Sequence, residues 1–206
     1  MPDSTPHSRR YYGVTTLLSS HPDMRRLKRT GLATHLHGNK LWGSAYLLMD
    51  YLHEHPLEPG SRVLELGCGW GLASIYCAKY QQADVTALDA DPAVFPYLAL
   101  LAEHNQTAVK TVSGDLTALS EKELGEYDTL IASDICFWDE MSEALYQLIT
   151  RAIDAGVKKI LIADPNRPPF IDVAEACIDD FFAELLPREI NARRRHSGSI
   201  LLIENA

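Results

Sequence analysis

Cysteine is scarce in this sequence of 206 residues, and the four that occur are unpaired in pattern. Cys68, Cys77, Cys136 and Cys177 form no C-x-x-C pair and fit no zinc spacing, which excludes a disulfide scaffold or a zinc module. Reduced thiols of this kind suit a cytoplasmic chain. Long uncharged runs are also missing. The longest, Leu66 to Ala78, has 13 residues, whereas a membrane-spanning helix needs about 20. The opening residues, MPDSTPHSRRYYG, hold no apolar stretch, so no secretory leader is expected. Basic residues are outnumbered, with 19 Lys and Arg against 28 Asp and Glu and a net charge of −9. Such a surface argues against general nucleic-acid binding. No internal repeat or low-complexity tract is present. The histidine pairs His35/His37 and His53/His55 are spaced two apart, and on a helix such side chains diverge. No metal site is expected from them.

What remains is an ordinary folded composition, 46% hydrophobic and 23% charged. The length fits one main domain. Charge divides it unevenly. Residues 1–40 carry Arg9, Arg10, Arg25, Arg26, Lys28, Arg29 and Lys40 against Asp3 and Asp23, a balance of +5 that leaves −14 for the rest. Residues 1–38 therefore read as a basic N-terminal arm with one or two short helices, ahead of a domain at 39–206.

From residue 61 the pattern alternates between strand and helix. Strands are expected at 62–66, 84–88, 109–112, 127–133 and 158–163, with helices at 72–80, 92–104, 140–155 and 171–186. A closing hairpin is expected from 188–193 and 199–203. Five β-α units and a hairpin make a seven-stranded α/β sheet, mostly parallel, with helices on both faces.

Four segments carry the chemistry. Val63-Leu-Glu65-Leu-Gly67-Cys68-Gly69-Trp-Gly71 joins a strand to a helix through a glycine-rich turn that admits a ligand close to the backbone. A dinucleotide site would want its third glycine at position 72, and a phosphate loop would want G-K-[ST]. Neither is present. Asp89 ends the second strand, where a carboxylate can take a ribose diol, and Asp91 suits the cap of the next helix. Asp115 and Leu116 follow the third strand, placed for an adenine amino group and ring or for a plain turn. Ser133, Asp134, Phe137 and Trp138 follow the fourth strand, at the switch point where such sheets bind ligands.

As a set, these residues resemble the class I S-adenosylmethionine-dependent methyltransferases over about residues 40–206. Lys40-Leu-Trp42-Gly-Ser-Ala resembles the L-W-x-S/A segment of the seven-strand protein-lysine methyltransferases (family 16), and Asp134 to Phe137 resembles their D-x-x-F/Y. Asp164-Pro-Asn166-Arg-Pro resembles the D-P-G-R-P of the electron-transfer-flavoprotein β-subunit lysine methyltransferases, with Asn166 in place of glycine.

The resemblance implies a Rossmann-like sheet with a C-terminal antiparallel hairpin. It implies S-adenosyl-L-methionine as cofactor, with S-adenosyl-L-homocysteine as product. Gly67, Cys68 and Gly69 would line the methionine part, with Glu65 acting through the backbone or a water. Asp89 and Ala90 would meet the ribose, Asp115 and Leu116 the adenine, and Trp42 and Ser133 would close the site. Asp134 would orient a lysine amine, with Phe137 and Trp138 lining its channel. The expected partner is a protein substrate, with no nucleic acid and no membrane, in the cytoplasm. A small-molecule N-methyltransferase, a nicotinamide-dependent oxidoreductase and a non-catalytic cofactor-binding protein remain open at this level.

Overall fold

Alternation of apolar side chains builds the centre of the molecule. The structure, a computed structural model, describes residues 6–31, 38, 40–191 and 195–205. Strands β1 (Ser8–Tyr11) and β2 (Val14–Leu17) and helix α1 (Pro22–Arg29) come first, followed by α2 (Ser44–Glu54). Then come β3 (Arg62–Leu66), α3 (Leu72–Tyr80), β4 (Asp84–Asp89), α4 (Phe95–His104), β5 (Lys110–Ser113) and α5 (Glu121–Leu124). The chain continues through β6 (Thr129–Ser133), α6 (Asp139–Asp154), β7 (Lys159–Asp164), α7 (Pro168–Phe181), β8 (Glu184–Asn191) and β9 (Arg195–Glu204).

Seven strands form one sheet in the order β5-β4-β3-β6-β7-β9-β8, and only the pairs made by β9 are antiparallel. Odd and even residues of each strand go to opposite faces. Val63, Val85, Ile131, Leu161 and Ile200 join one buried cluster with α2, α3 and α4. Leu64, Leu130, Ile160 and Leu201 join the other, with α6 and α7. Each such side chain stabilises the fold by about 1.5–3 kcal/mol on burial. The chain reverses its direction across the sheet between β3 and β6, so a crevice opens at their C-terminal ends.

Two elements differ from the sequence pattern. The helical period runs through 182–186, but Phe182 adopts φ +55°, a left-handed cap that ends α7. Residues from Glu184 then form β8, an edge strand whose outer position tolerates Pro187. The N-terminal residues contain a β-hairpin as well as one helix. Tyr12 and Gly13 both have positive φ, the requirement of a tight two-residue turn. Residues 192–194, part of the expected hairpin, and His35 and His37 lie outside the described residues. His53 stacks on Tyr12 and His55 on Tyr51, so they act separately. Among the described residues, no helix is long and apolar enough to cross a membrane.

The hairpin and α1 dock onto the core through Val14, Leu17 and Met24, all buried. Asn105, at the end of α4, fastens them. Its side chain accepts from Thr15 N at 2.8 Å and donates to Thr15 O and Leu101 O, each at 2.8 Å. Asn105→Ala strands two backbone groups of β2, which costs about 1–3 kcal/mol. Urea unfolding should show that loss, with faster amide exchange across residues 8–17; unchanged exchange there would mean that the apolar contacts alone hold the hairpin.

Candidate active site

The glycine-rich turn between β3 and α3 lines a small cleft open to solvent. Trp42, Glu65, Gly67, Cys68, Gly69 and Ser133 line it, as do Lys40, Leu41 and Trp70. The three glycines serve different needs. All have φ between 52° and 67°. A Cβ at Gly67 would come within 2.7 Å of Ile135, and one at Gly71 would strike Leu98. A Cβ at Gly69 would meet nothing within 4 Å, so only there does the bare backbone face open space.

Glu65 is 1% exposed. Its side chain points to the α3 face, where Oε2 accepts from Ser74 N at 3.0 Å and from the Ser74 hydroxyl. It therefore anchors the first turn of α3. Burial pushes its carboxyl up to about 7, against the bonds from Ser74, and the nearby Asp89 charge adds to the rise. Cys68 is buried, and burial pushes its thiol well up, so it is no nucleophile.

Asp89 faces the same turn. Its Oδ2 accepts from Gly69 N at 2.8 Å and its Oδ1 from Asp91 N at 2.9 Å, while burial raises its carboxyl. Asp91 caps the following short helix by accepting from Ala93 N. Ala90 between them is exposed. Asp115 is exposed and caps its own turn, accepting from Thr117 N and Oγ1, with Leu116 half-buried beside it. These two stand next to the β4 end through a bond from Gly114 N to Asp89 O and do not line the cleft.

Asp134 is 6% exposed with φ +56°, a conformation unusual for a residue with a side chain. Oδ2 accepts from Ser44 N at the start of α2, 2.8 Å away, and Oδ1 accepts from Arg167 Nη2 at 2.7 Å. Arg167 also donates to Asp164, 2.6 Å from Nη1 and 2.8 Å from its backbone N. Burial pushes Asp164 up to about 6, opposed by Arg167. The guanidinium lies 4.3 Å from the Phe137 ring centre and 5.8 Å from that of Trp42. Trp42 and Phe137 pack edge to face at 5.1 Å, and Lys40 Nζ sits 3.8 Å over Trp42. Trp138 is half-exposed beside Phe137.

Arg167 had no role in the sequence reading beyond its place in the D-P-N-R-P segment, and neither had Trp70. Its neighbour Asn166 has φ +67°, which explains why a glycine position accepts asparagine. Trp70 is 5% exposed, stacks on Tyr97 at 4.8 Å and donates to Gly38 O at 2.8 Å, so it braces the turn.

The raised carboxyl of Glu65 has a measurable sign. Between its ordinary value of 4.5 and about 7, the folded chain holds a proton that the unfolded chain has released. Stability should therefore fall by about 3 kcal/mol as pH rises through that window. Asp164 contributes in the same direction up to about pH 6. Urea unfolding from pH 5 to 8 should show this slope, and Glu65→Gln should flatten most of it; an equal slope in the variant would assign it elsewhere.

Residues 63–156 match the protein family described as "Methyltransferase domain". The electron transfer flavoprotein beta subunit lysine methyltransferase of Xenopus laevis is 30% identical over 130 residues, which is 63% of this chain and 52% of that protein. The histidine protein methyltransferase 1 homolog of Dictyostelium discoideum is 30% identical over 127 residues, 59% of this chain and 41% of that protein. The chain thus spans about half the length, or less, of these curated relatives. In fold, it resembles the Pyrococcus abyssi tRNA (uracil-54, C5)-methyltransferase solved with S-adenosyl-L-homocysteine. The TM-score is 0.62 at 18% identity, over 96% of this chain and 42% of that one. The matched domain, the sheet order and the glycine-rich turn together make residues 63–156 similar to a methyltransferase domain, on a fold shared with an S-adenosyl-L-homocysteine-binding methyltransferase.

Proposed function

We propose that the chain transfers a methyl group from S-adenosyl-L-methionine to a lysine side chain of a protein. The observation that carries this reading is the arrangement at the cleft mouth. There a buried carboxylate, Asp134, holds a cationic nitrogen group against the faces of Phe137 and Trp42. In this structure the group is the Arg167 guanidinium. A lysine amine asks for the same surroundings.

The cofactor fits the donor set beside it. Open space at Gly69 allows a ligand against the backbone, and the Asp89 carboxylate stands one hydrogen bond away. Gly67, Cys68 and Gly69 would hold the methionine part, Asp89 and Ala90 the ribose, Asp115 and Leu116 the adenine. Trp42 and Ser133 would close the two sides. When bound, the cofactor supplies a methyl group already activated on a sulfonium.

The residues of the chain do the remaining work. A lysine amine, with an ordinary pKa of about 10.4, must lose its proton before it attacks. The half-buried Phe137 and Trp42 exclude water from it, and the Arg167 charge beside it opposes the ammonium form. Asp134 orients the amine directly or through Arg167, and Trp138 extends the aromatic wall outward. Ser44 N and Arg167 fix Asp134 before any acceptor arrives, so orientation is set in advance. The relatives named for lysine and histidine methylation support a protein acceptor.

Labelled cofactor with a cell lysate tests the reading. Label should enter protein and survive hydrolysis as methylated lysine; label in methylhistidine or only in small molecules would overturn the lysine assignment. Asp89→Ala should weaken cofactor affinity at least about tenfold, since a charge-assisted bond contributes about 1.5–3 kcal/mol. Calorimetry checks this, and unchanged heat would leave Asp89 as a brace for Gly69. Asp134→Asn keeps an acceptor for Ser44 N while removing the charge. It should lower the melting temperature by weakening the pair with Arg167, leave cofactor affinity near wild type and abolish single-turnover transfer. A normal rate at saturating cofactor would remove Asp134 from the acceptor site.

A further inference from the structure

On the far side of the glycine-rich turn, two histidines and a carboxylate from separate segments converge. We propose that His21, Asp23 and His104 bind one late first-row divalent cation, of the zinc class, which ties α1 to α4. His21 precedes α1, Asp23 lies in its first turn, and His104 ends α4, 81 residues away from Asp23 in sequence. Asp23 Oδ2 is 3.1 Å from His104 Nε2 and 3.7 Å from His21 Nδ1. One ligand atom from each of the three lies within 4.8 Å of the other two. Ligands about 2.0–2.2 Å from a tetrahedral zinc stand about 3.3 Å apart, so the cluster needs only a small closing movement.

The donor types select the cation. Two imidazole nitrogens and one carboxylate oxygen suit zinc and its neighbours, whereas magnesium and calcium take oxygen sets. Three protein ligands leave a position for water, and the partial exposure of all three side chains, 19–30%, leaves a side open to it. The other oxygen of Asp23 is held by Arg26 Nη2 at 3.1 Å, which orients the carboxylate as an outer partner does around bound metals. The two imidazole rings stand edge to face at 5.2 Å and 87°. Two existing contacts give way to coordination: the hydrogen bond between His104 Nε2 and Asp23 Oδ2, 3.1 Å, and the long bond, 3.3 Å, that His21 Nδ1 accepts from Asp23 N.

The cation would act on the N-terminal segment. Helix α1 reaches the cofactor turn at its other end, where Lys28 Nζ lies 5.8 Å from the Trp70 ring centre. Trp70 in turn stacks on Tyr97 of α4. A cation joining α1 to α4 therefore closes a second link around the same turn, independent of methyl transfer.

The test uses zinc chloride and cobalt chloride alone, on the full chain without cofactor. Calorimetry should find one equivalent of zinc, and zinc should raise the melting temperature. Cobalt should give the visible bands of a low-coordinate nitrogen and oxygen site without a thiolate charge-transfer band, which separates this site from the four cysteines. Loss of an outer-shell partner alone weakens metal binding about 10–100-fold, so His104→Ala and His21→Asn should each cost at least about tenfold. Asparagine at 21 keeps a helix cap, and circular dichroism confirms folding of both variants. No heat and no cobalt spectrum in the wild type would overturn the proposal. So would binding that survives in the folded double variant, because the cation would then sit elsewhere.

Discussion

A single guanidinium lies between two buried carboxylates, and the mouth of the cleft is organised around it. Asp134 and Asp164 end neighbouring strands and are 6% and 1% exposed. Charges taken that far from water are tolerated only when paired and hydrogen-bonded. Arg167 pairs with both, and Ser44 N takes the remaining oxygen of Asp134. Four segments are thereby fixed to one another: the ends of β6 and β7, the first turn of α2 and the residues leading into α7. The positive φ of Asp134 and Asn166 is a local cost that these bonds offset. Because α2 follows directly on Trp42, the same network sets where that ring stands over the cleft.

The sheet imposes the second constraint. Glu65 shares the parity of Val63, so the alternation that buries Val63 also sends Glu65 into the α3 face. There its partners are the amide and hydroxyl of Ser74. The carboxylate thus joins strand and helix across the turn, and the turn between them is held at both ends while its middle, at Gly69, stays open. Asp89 holds that middle from the β4 side. The frame of the cleft is thus hydrogen-bonded on both sides, while the Gly69 backbone stays bare.

Local rules made much of this readable from residues alone. The limits of β3 and α3 follow from an apolar run, three glycines and a helix-forming segment, and Asp91 is the cap its position suggests. The sheet order follows from handedness and short connections. Contacts distant in sequence were not readable. Nothing near Arg167 announces that it reaches Asp134, 33 residues earlier. Thr15 and Asn105 are 90 residues apart, so the pairing that docks the N-terminal hairpin has no local signature. The turn of that hairpin uses Tyr12 and Gly13, and tyrosine is an uncommon residue at positive φ. The helical spacing of apolar residues from Phe182 to Leu186 runs past the true end of α7, where a left-handed residue has already turned the chain into β8.

The positions of the tryptophans have an optical consequence. The chain has three, and all stand around the cleft at the glycine-rich turn. Trp42 and Trp70 line it, and Trp138 adjoins it through Phe137. Their surroundings differ sharply, since Trp70 is 5% exposed and stacked on Tyr97 while Trp138 is 49% exposed. Indole emission shifts to the red with exposure to water, and a stacked ring is partly quenched. The entire tryptophan fluorescence of the protein therefore originates at the site, with a blue component from the glycine-rich turn and a red component from the aromatic wall. The molecule carries a built-in two-colour reporter that distinguishes events at the glycine-rich turn from events at the aromatic wall.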